Sequence, residues 1–263
     1  MMKIGVMTES FRVDFKEAVV KAKNLGAQGI QTYATYGPLR PESLNIIQRK
    51  DILDYVKSNG LVFSALCGDF GKGFSDKEQN IEIIKKTKRI MDLALDLDTK
   101  IVTTHIGHVP NDRNSEVYQT IVNAIRELGE YGDNIGVCFA TETGPEMAVL
   151  LRQILQDAGT NSAKVNLDPA NFVMLCGQDP VEAVDILKEY IVHTHAKDGV
   201  KKGDGYEELP LGKGGVPFVE YVQALKNIGY DGFLTIEREV GDDPDSDILL
   251  AKNYLADILK NIK

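Results

Sequence analysis

The stretches IVTTH (101–105), VCFATE (137–142), VNLD (165–168), IVHTH (191–195) and FLTIE (233–237) are built alike. Each is a short run of β-branched or apolar residues that stops on a His, Glu or Asp. Runs of this length read as buried strands, and a longer helical pattern follows each of them. Working outward, the same unit recurs along the whole chain. Lys3–Met7 precedes a helix near Asp14–Asn24, Gly29–Thr32 one near Glu42–Asn59, and Val62–Leu66 one over Lys77–Leu95. Ile101–His105 leads to Ser115–Tyr131, Val137–Glu142 to Glu146–Ala158, and Val165–Asp168 to Pro180–Leu187. Ile191–His195 leads to Phe218–Asn227, and Phe233–Glu237 to Asp245–Lys260. Gly26, Gly60 and Gly229 stand just past helical patterns, where a left-handed residue is needed. Pro41 and Pro180 fit a first helical turn. Ile46, Ile47, Ile52, Leu53 and Val56 form the expected apolar stripe of the second helix. Eight strand–helix units in 263 residues predict an α/β chain folded as one (β/α)8 TIM barrel, residues 1–263, in a single domain. An open doubly wound sheet usually carries a glycine-rich turn after its first strand, and MTESFR stands there instead.

Composition narrows the partners. Lys plus Arg is 30 and Asp plus Glu is 39, a net charge of −9. Such a chain repels phosphodiester backbones, so nucleic acid is not an expected partner. No apolar run approaches the roughly 18 residues of a membrane span, so no membrane partner is expected. The opening MMKIGVMTESF lacks the pattern of an export signal, and the three cysteines form no CxxC. A reduced, cytoplasmic setting is therefore expected. A homo-oligomer remains open.

In barrels of this kind the chemistry sits at the C-terminal ends of the strands. Five consecutive runs end there in His105, Glu142, Asp168, His195 and Glu237. Strand alternation puts Glu142 on one face with Ala140 and Cys138, and Glu237 with Thr235, so all five can point into one mouth. Singly, each reads as a strand end meeting solvent; in succession they read as a site. Two Glu, one Asp and one His make an oxygen-rich cage suited to one divalent ion, Mn²⁺, Mg²⁺ or Co²⁺ before Zn²⁺. Without a cation, three carboxylates so close would repel, and one would take up a proton.

ATETGPE (140–146), NLDPANF (166–172), HTHAKD (193–198) and TIERE (235–239) resemble the xylose-isomerase-like TIM-barrel superfamily of sugar and sugar-phosphate isomerases and epimerases, inosose dehydratases and a branch of apurinic endonucleases. The resemblance spans the eight units. It implies a metal held by Glu142, Asp168, His195 and Glu237, with Glu142 and Glu237 doubling as the catalytic acid/base pair. The implied activity is a metal-dependent sugar or sugar-phosphate isomerase or epimerase that abstracts a proton next to a carbonyl through a metal-stabilised enediolate. A dehydratase or lyase acting on a keto-sugar or inosose is the alternative, because the same groups serve both. Two positions depart from the pattern. Gln31 stands where the second strand often carries an acid. Asn171 stands where the ketose 3-epimerase branch has a His, and it can hydrogen-bond but not shuttle a proton.

Other residues are weighed singly. His105, Lys197, Asn171 and Asp198 are expected on the substrate. For His105 a prop behind a metal carboxylate is an equal reading, and for Lys197 and Asp198 a solvated loop pair is the alternative. His193 points one layer deeper and reads as a core histidine, and His108 as an exposed loop residue. Arg238 reads first as an ion pair with an acid on the last helix, and otherwise as a phosphate contact, together with Lys201, Lys202 and Lys213. The glycine-rich Gly199–Pro217 reads as a loop long enough to cover a substrate. Cys67 reads as a small buried hydrophobe, and Asp69, nearer the mouth, is within reach of a substrate hydroxyl but is not counted among the site residues. An endonuclease would need more histidines than the four present. A non-catalytic sugar-binding barrel would not need the intact Glu–Asp–His–Glu set.

Overall fold

The computed structural model describes residues 1–262. Eight parallel strands close a barrel: β1 (Lys3–Met7), β2 (Gly29–Tyr33), β3 (Val62–Cys67), β4 (Ile101–His105), β5 (Cys138–Glu142), β6 (Ala163–Leu167), β7 (Ile191–Ala196) and β10 (Phe233–Ile236). Their order around the wall is β1-β10-β7-β6-β5-β4-β3-β2, and the β1–β2 ladder shuts the ring. This is the α/β TIM barrel expected. The register sets the site: His105 pairs with Glu142, Glu142 with Asn166, Asn166 with His193, and Thr235 with His195. Asp168 and Glu237 follow directly on the ends of β6 and β10.

The outer layer is α1 (Phe15–Leu25), α2 (Ile46–Ser58), α3 (Lys77–Asp96), α4 (Glu116–Ile135), α5 (Ala148–Ala158), the short α6 (Pro169–Asn171), α7 (Pro180–Leu187), α8 (Phe218–Asn227) and α9 (Pro244–Asn261). Side chains of Asp14, Asn45, Asp76, Ser115, Asp179 and Asp243 accept from the first free N–H groups of the helices they precede. Gly26, Gly60 and Gly229 take φ of 81°, 76° and 81°, as their places after helices require. Ile83, Ile90 and Met91 of α3 and Ile121, Ile125 and Leu128 of α4 bury the faces that meet the strands. The stripe expected on α2 is only partly buried. Val56 reaches the core, but Ile46 and Ile47 are each 67% exposed. Ile47, nine residues before Val56, is about two and a half turns away and so faces the other side. No described helix is long and apolar enough to cross a membrane.

The segment expected as a plain loop, Gly199–Pro217, is largely an antiparallel hairpin, β8 (Asp198–Lys202) against β9 (Gly205–Leu209). Asp198 ties both of its ends together. Its Oδ1 accepts from the N–H of Gly199 (2.9 Å) and Val216 (3.0 Å), and its Oδ2 from those of Gly212 and Gly214 (2.9 Å each). The backbone comes so close that a Cβ on Gly214 would lie 2.2 Å from Asp198 Oδ1. Arg238 adds a second fastening, bonding Glu208 of β9 at 2.6 Å and Asp247 of α9 at 2.8 Å. Replacing Asp198 with Ala leaves four N–H groups without their carboxylate. It is expected to lower the unfolding free energy by about 2–4 kcal/mol. Amide exchange should quicken over residues 199–216 and stay slow in the barrel strands, as hydrogen–deuterium exchange will show.

Candidate active site and metal centre

Glu142, Asp168, His195 and Glu237 each offer an atom within 4.8 Å of the other three, and all four are buried. Glu142 ends β5 and Glu237 follows β10, so the two glutamates enter from either side of β6 and β7, which bring Asp168 and His195. His195 Nδ1 lies 3.2 Å from both Glu142 Oε1 and Glu237 Oε2 and 3.9 Å from Asp168 Oδ2. His195 Nδ1 and Asp168 Oδ2 are buried without a hydrogen-bond partner among the described residues. Orphaned buried polar atoms are uncommon, and two facing one another across three carboxylates form a cluster that can hold a cation.

The surroundings aim these groups. Gln31 donates from Nε2 to Thr103 Oγ1 (2.8 Å), so its Oε1, 3.0 Å from His195 Nε2, accepts the proton there. That leaves His195 Nδ1 turned to the carboxylates. A second chain runs beneath. Thr235 Oγ1 donates to His193 Nε2 (2.9 Å), His193 Nδ1 donates to Asn166 Oδ1 (2.8 Å), and Asn166 Nδ2 donates to Glu142 Oε2 (3.2 Å). Burial holds the His193 pKa well below the imidazole range, in keeping with a neutral ring that donates through one nitrogen and accepts through the other. Asp168 Oδ1 accepts from the N–H of Ala170 (2.8 Å) and Asn171 (3.4 Å), which presents Oδ2 to the cluster.

Charge is tightly coupled here. Burial disfavours a charged His195, yet the carboxylates of Glu142 and Glu237 hold its pKa well above the usual range. Burial likewise works against charge on Glu142 and Glu237. His195 and His105 nevertheless hold Glu142 below its ordinary range, and His195 and Lys197 do so for Glu237. Asp168, with least compensation, is pushed by burial up to about 7.

Above the cluster opens a cavity of about 250 Å³. Glu142, Glu237, His105, Lys197 and Asn171 line it, while Asp168 and His195 lie beneath its floor. Asp198 does not join them, because its carboxylate is taken up by the hairpin N–H groups. Asn171 is anchored through its side-chain N–H to Thr143 O (2.8 Å). Lys197 Nζ spans Glu237 (3.3 Å) and Glu239 (2.5 Å). His105 pairs through Nδ1 with Asp69 (2.8 Å) and points Nε2 at Glu142 (3.6 Å). The Glu142 carboxylate, opposed by burial and helped by Asp69, pushes the His105 pKa up to about 10. His193 is a core histidine, His108 is exposed, and Arg238 is held by acids, as read from the sequence. Cys67 lines the cavity with its thiol pushed well up by burial, hence neutral.

Sequence reading gave no role to Asn166 or Glu146, left Asp69 outside the site residues, and noted Gln31 only as a departure. Asn166 and Gln31 had a signal: polar residues within apolar runs, at inward-facing positions. Glu146 had none. Its Oε1 accepts from the N–H of Gly144 (3.2 Å), and its Oε2 is buried and unpartnered among the described residues.

The chain belongs to the xylose isomerase-like TIM barrel family, whose model matches residues 19–258. Its curated relatives include the uncharacterized protein MJ1311 of Methanocaldococcus jannaschii, 27% identical over 62% of this chain and 58% of that protein. The chain thus aligns with under two thirds of that relative's length. Among solved structures, a xylose isomerase domain protein from Planctomyces limnophilus superposes with a TM-score of 0.86 at 24% identity, over 99% of this chain and 98% of that one. The IOLI protein with a bound zinc atom superposes with a TM-score of 0.82 at 18% identity, over 100% and 99%. A D-tagatose 3-epimerase-like protein, a D-psicose 3-epimerase and a probable 3-DHS dehydratase share the fold.

Burial raises the Glu146 pKa from 4.5 to about 7. The folded state therefore binds this proton more tightly than the unfolded chain does. Its contribution is fully present below about pH 4.5 and is lost as pH rises through about 7. Glu146→Gln should flatten the fall in stability across that window, by up to roughly 3 kcal/mol. Urea unfolding at a series of pH values checks this.

Proposed function

We propose that this protein is a divalent-metal-dependent isomerase or epimerase of a sugar or sugar phosphate, which moves the proton on carbon next to a carbonyl. The observation that carries the reading is the buried Glu142–Asp168–His195–Glu237 cluster with its two unpartnered, mutually facing atoms. Three carboxylates and one imidazole suit Mn²⁺, Mg²⁺ or Co²⁺, with Zn²⁺ also accommodated. Solved structures of this fold contain magnesium or zinc, which supports the choice of a dication without selecting one. When bound, such an ion supplies Lewis-acid polarisation of the substrate carbonyl.

The remaining work falls to the chain. Glu142 and Glu237 flank the floor of the cavity from opposite sides, so one takes the carbon-bound proton and the other returns one. The Asn166 amide and the Lys197 ammonium hold these two carboxylates in place. Lys197 and Asn171 meet substrate oxygens, and His105, steadied by Asp69, bonds a substrate hydroxyl. The small cavity limits the water that reaches the reacting carbon. The setting proposed is the reducing cytoplasm, in keeping with three unpaired cysteines.

One observation favours a second reading. His105, held through Nδ1 by Asp69 at 2.8 Å in the cavity wall, is placed to pass a proton to a leaving hydroxyl, which is what a dehydratase of a keto-sugar or inosose needs.

In D₂O with Mn²⁺, the protein is expected to wash deuterium into the carbon next to the carbonyl of a ketose or inosose. Product mass, corrected for deuterium, separates the readings: unchanged for an isomerase or epimerase, reduced by one water for a dehydratase. Glu142→Gln and Glu237→Gln should each slow exchange by about 10²–10⁴-fold. Full exchange in both variants would sink the proposal. Gln31→Leu, which removes the acceptor for His195 Nε2–H, is expected to weaken Mn²⁺ binding by about 10–100-fold in calorimetry.

A further inference from the structure

Two places where this barrel would be expected to hold a phosphate, the glycine-rich segment after β7 and the N-terminus of α9, are already filled by the chain's own carboxylates. In barrels of this kind, phosphates are typically gripped by the loops after the seventh and eighth barrel strands and by a helix N-terminus beside them. After β7 the glycine-rich 211–216 segment does form a backbone anion nest, with the N–H groups of Gly212, Gly214 and Val216 converging together with that of Gly199. The anion in it is Asp198, both of whose oxygens are bonded there. After β10, the N-terminus of α9 is capped by Asp243 and carries Asp245 and Asp247 in its first turn. Arg238, the guanidinium nearest the reacting glutamates in sequence, is spent on Glu208 and Asp247.

The cavity itself repeats the pattern. Asp69, Glu142, Glu237 and Glu239 line it, and Lys197 is its one ammonium or guanidinium among the described residues. Lys197 is engaged by two of those acids, and His105 by a third. Lys201, Lys202 and Lys213 are exposed and do not line the cavity, and Lys202 pairs with Glu207 at 2.6 Å. Among the described residues, a phosphate dianion would enter a cavity whose lysine is already paired, beside a backbone nest that Asp198 already fills. Apart from Asn171, the rest of the wall is largely apolar or aromatic, with Tyr33, Tyr206, Met7, Met174 and Leu175. Such surfaces suit the C–H faces of an uncharged polyol.

We infer that the substrate is a neutral, unphosphorylated polyhydroxy carbonyl compound, a free ketose or inosose, and that the site excludes its phosphate esters. The inference rests on the metal-dependent reaction proposed above and narrows it. The test uses the full chain with Mn²⁺ and two panels: D-fructose, D-tagatose and scyllo-inosose against D-fructose 6-phosphate and D-tagatose 6-phosphate. Calorimetry gives affinity, and deuterium uptake in D₂O gives reaction. A free sugar or inosose is expected to bind and exchange, with its phosphate ester at least about 30-fold weaker. That gap should shrink as salt rises well above ~0.1 M, because the repulsion is then screened. A phosphate ester that binds as tightly as the free sugar and exchanges its proton would overturn this inference and leave the metal-dependent reaction standing. No binding and no exchange in either panel would overturn the proposed reaction, and this inference with it.

Discussion

Three carboxylates buried within a few ångströms of one another cannot stand without positive charge among them, and much of the barrel mouth is organised around that requirement. In the protein alone, the charge comes from His195 and Lys197. Against the cost of burial, His195 holds its proton more tightly than usual because Glu142 and Glu237 face it, and Lys197 because Glu237, Asp168 and Glu239 do. Asp168 has the least compensation and is the carboxyl driven upward. A dication in the centre would meet the same requirement more compactly, through the two atoms left without partners. The electrostatic problem and the proposed chemistry thus share one physical origin.

Such a cluster needs orientation as well as charge, and the inside of the barrel provides it. Gln31, Thr103, Asn166, His193 and Thr235 are all buried, and each spends its polar atoms on a neighbour in the same network. The hydrogen bonds run from β2 to His195 and from β10 through β7 and β6 to Glu142. Adjacent strands are the natural carriers, since their register sets the height of each side chain in the barrel. A polar interior of this kind is stable only when its members are satisfied, which is why the orphaned atoms at its upper end point to function.

The hairpin after β7 is where specificity is argued. It takes a glycine-rich segment suited to a phosphate and fills its nest with an internal carboxylate, while Arg238 fastens it to α9. What remains over the cluster is a small cavity walled by acids, by His105, Lys197 and Asn171, and by two tyrosines and aliphatic side chains. The chemistry at the floor and the choice of ligand above it are therefore set by different groups. The first depends on strand ends, the second on how the connecting segments fold back.

The barrel and the four clustered residues were legible in the chain because both are periodic. Strand alternation and the recurring strand–helix unit are local properties, and Glu142, Asp168, His195 and Glu237 each fall at or beside the end of an apolar run. Gly199–Pro217 was not legible as a hairpin, because the pairing of Asp198 with Leu209 is decided by distant contacts rather than by a strong alternating pattern. Asp198 read as a group for the substrate because it follows His195 and Lys197 in the HTHAKD stretch that carries the family resemblance. Only the folded backbone turns its carboxylate toward Gly212 and Gly214. The partnerships of Asp69 with His105 and of Gln31 with His195 link residues 36 and 164 positions apart. The sequence by itself determined the architecture and which residue types stand at the mouth, since hydrophobic period acts over a few residues. The tertiary structure alone decided which polar atoms are satisfied and which are left facing one another, since a hydrogen bond depends on distance and angle in space.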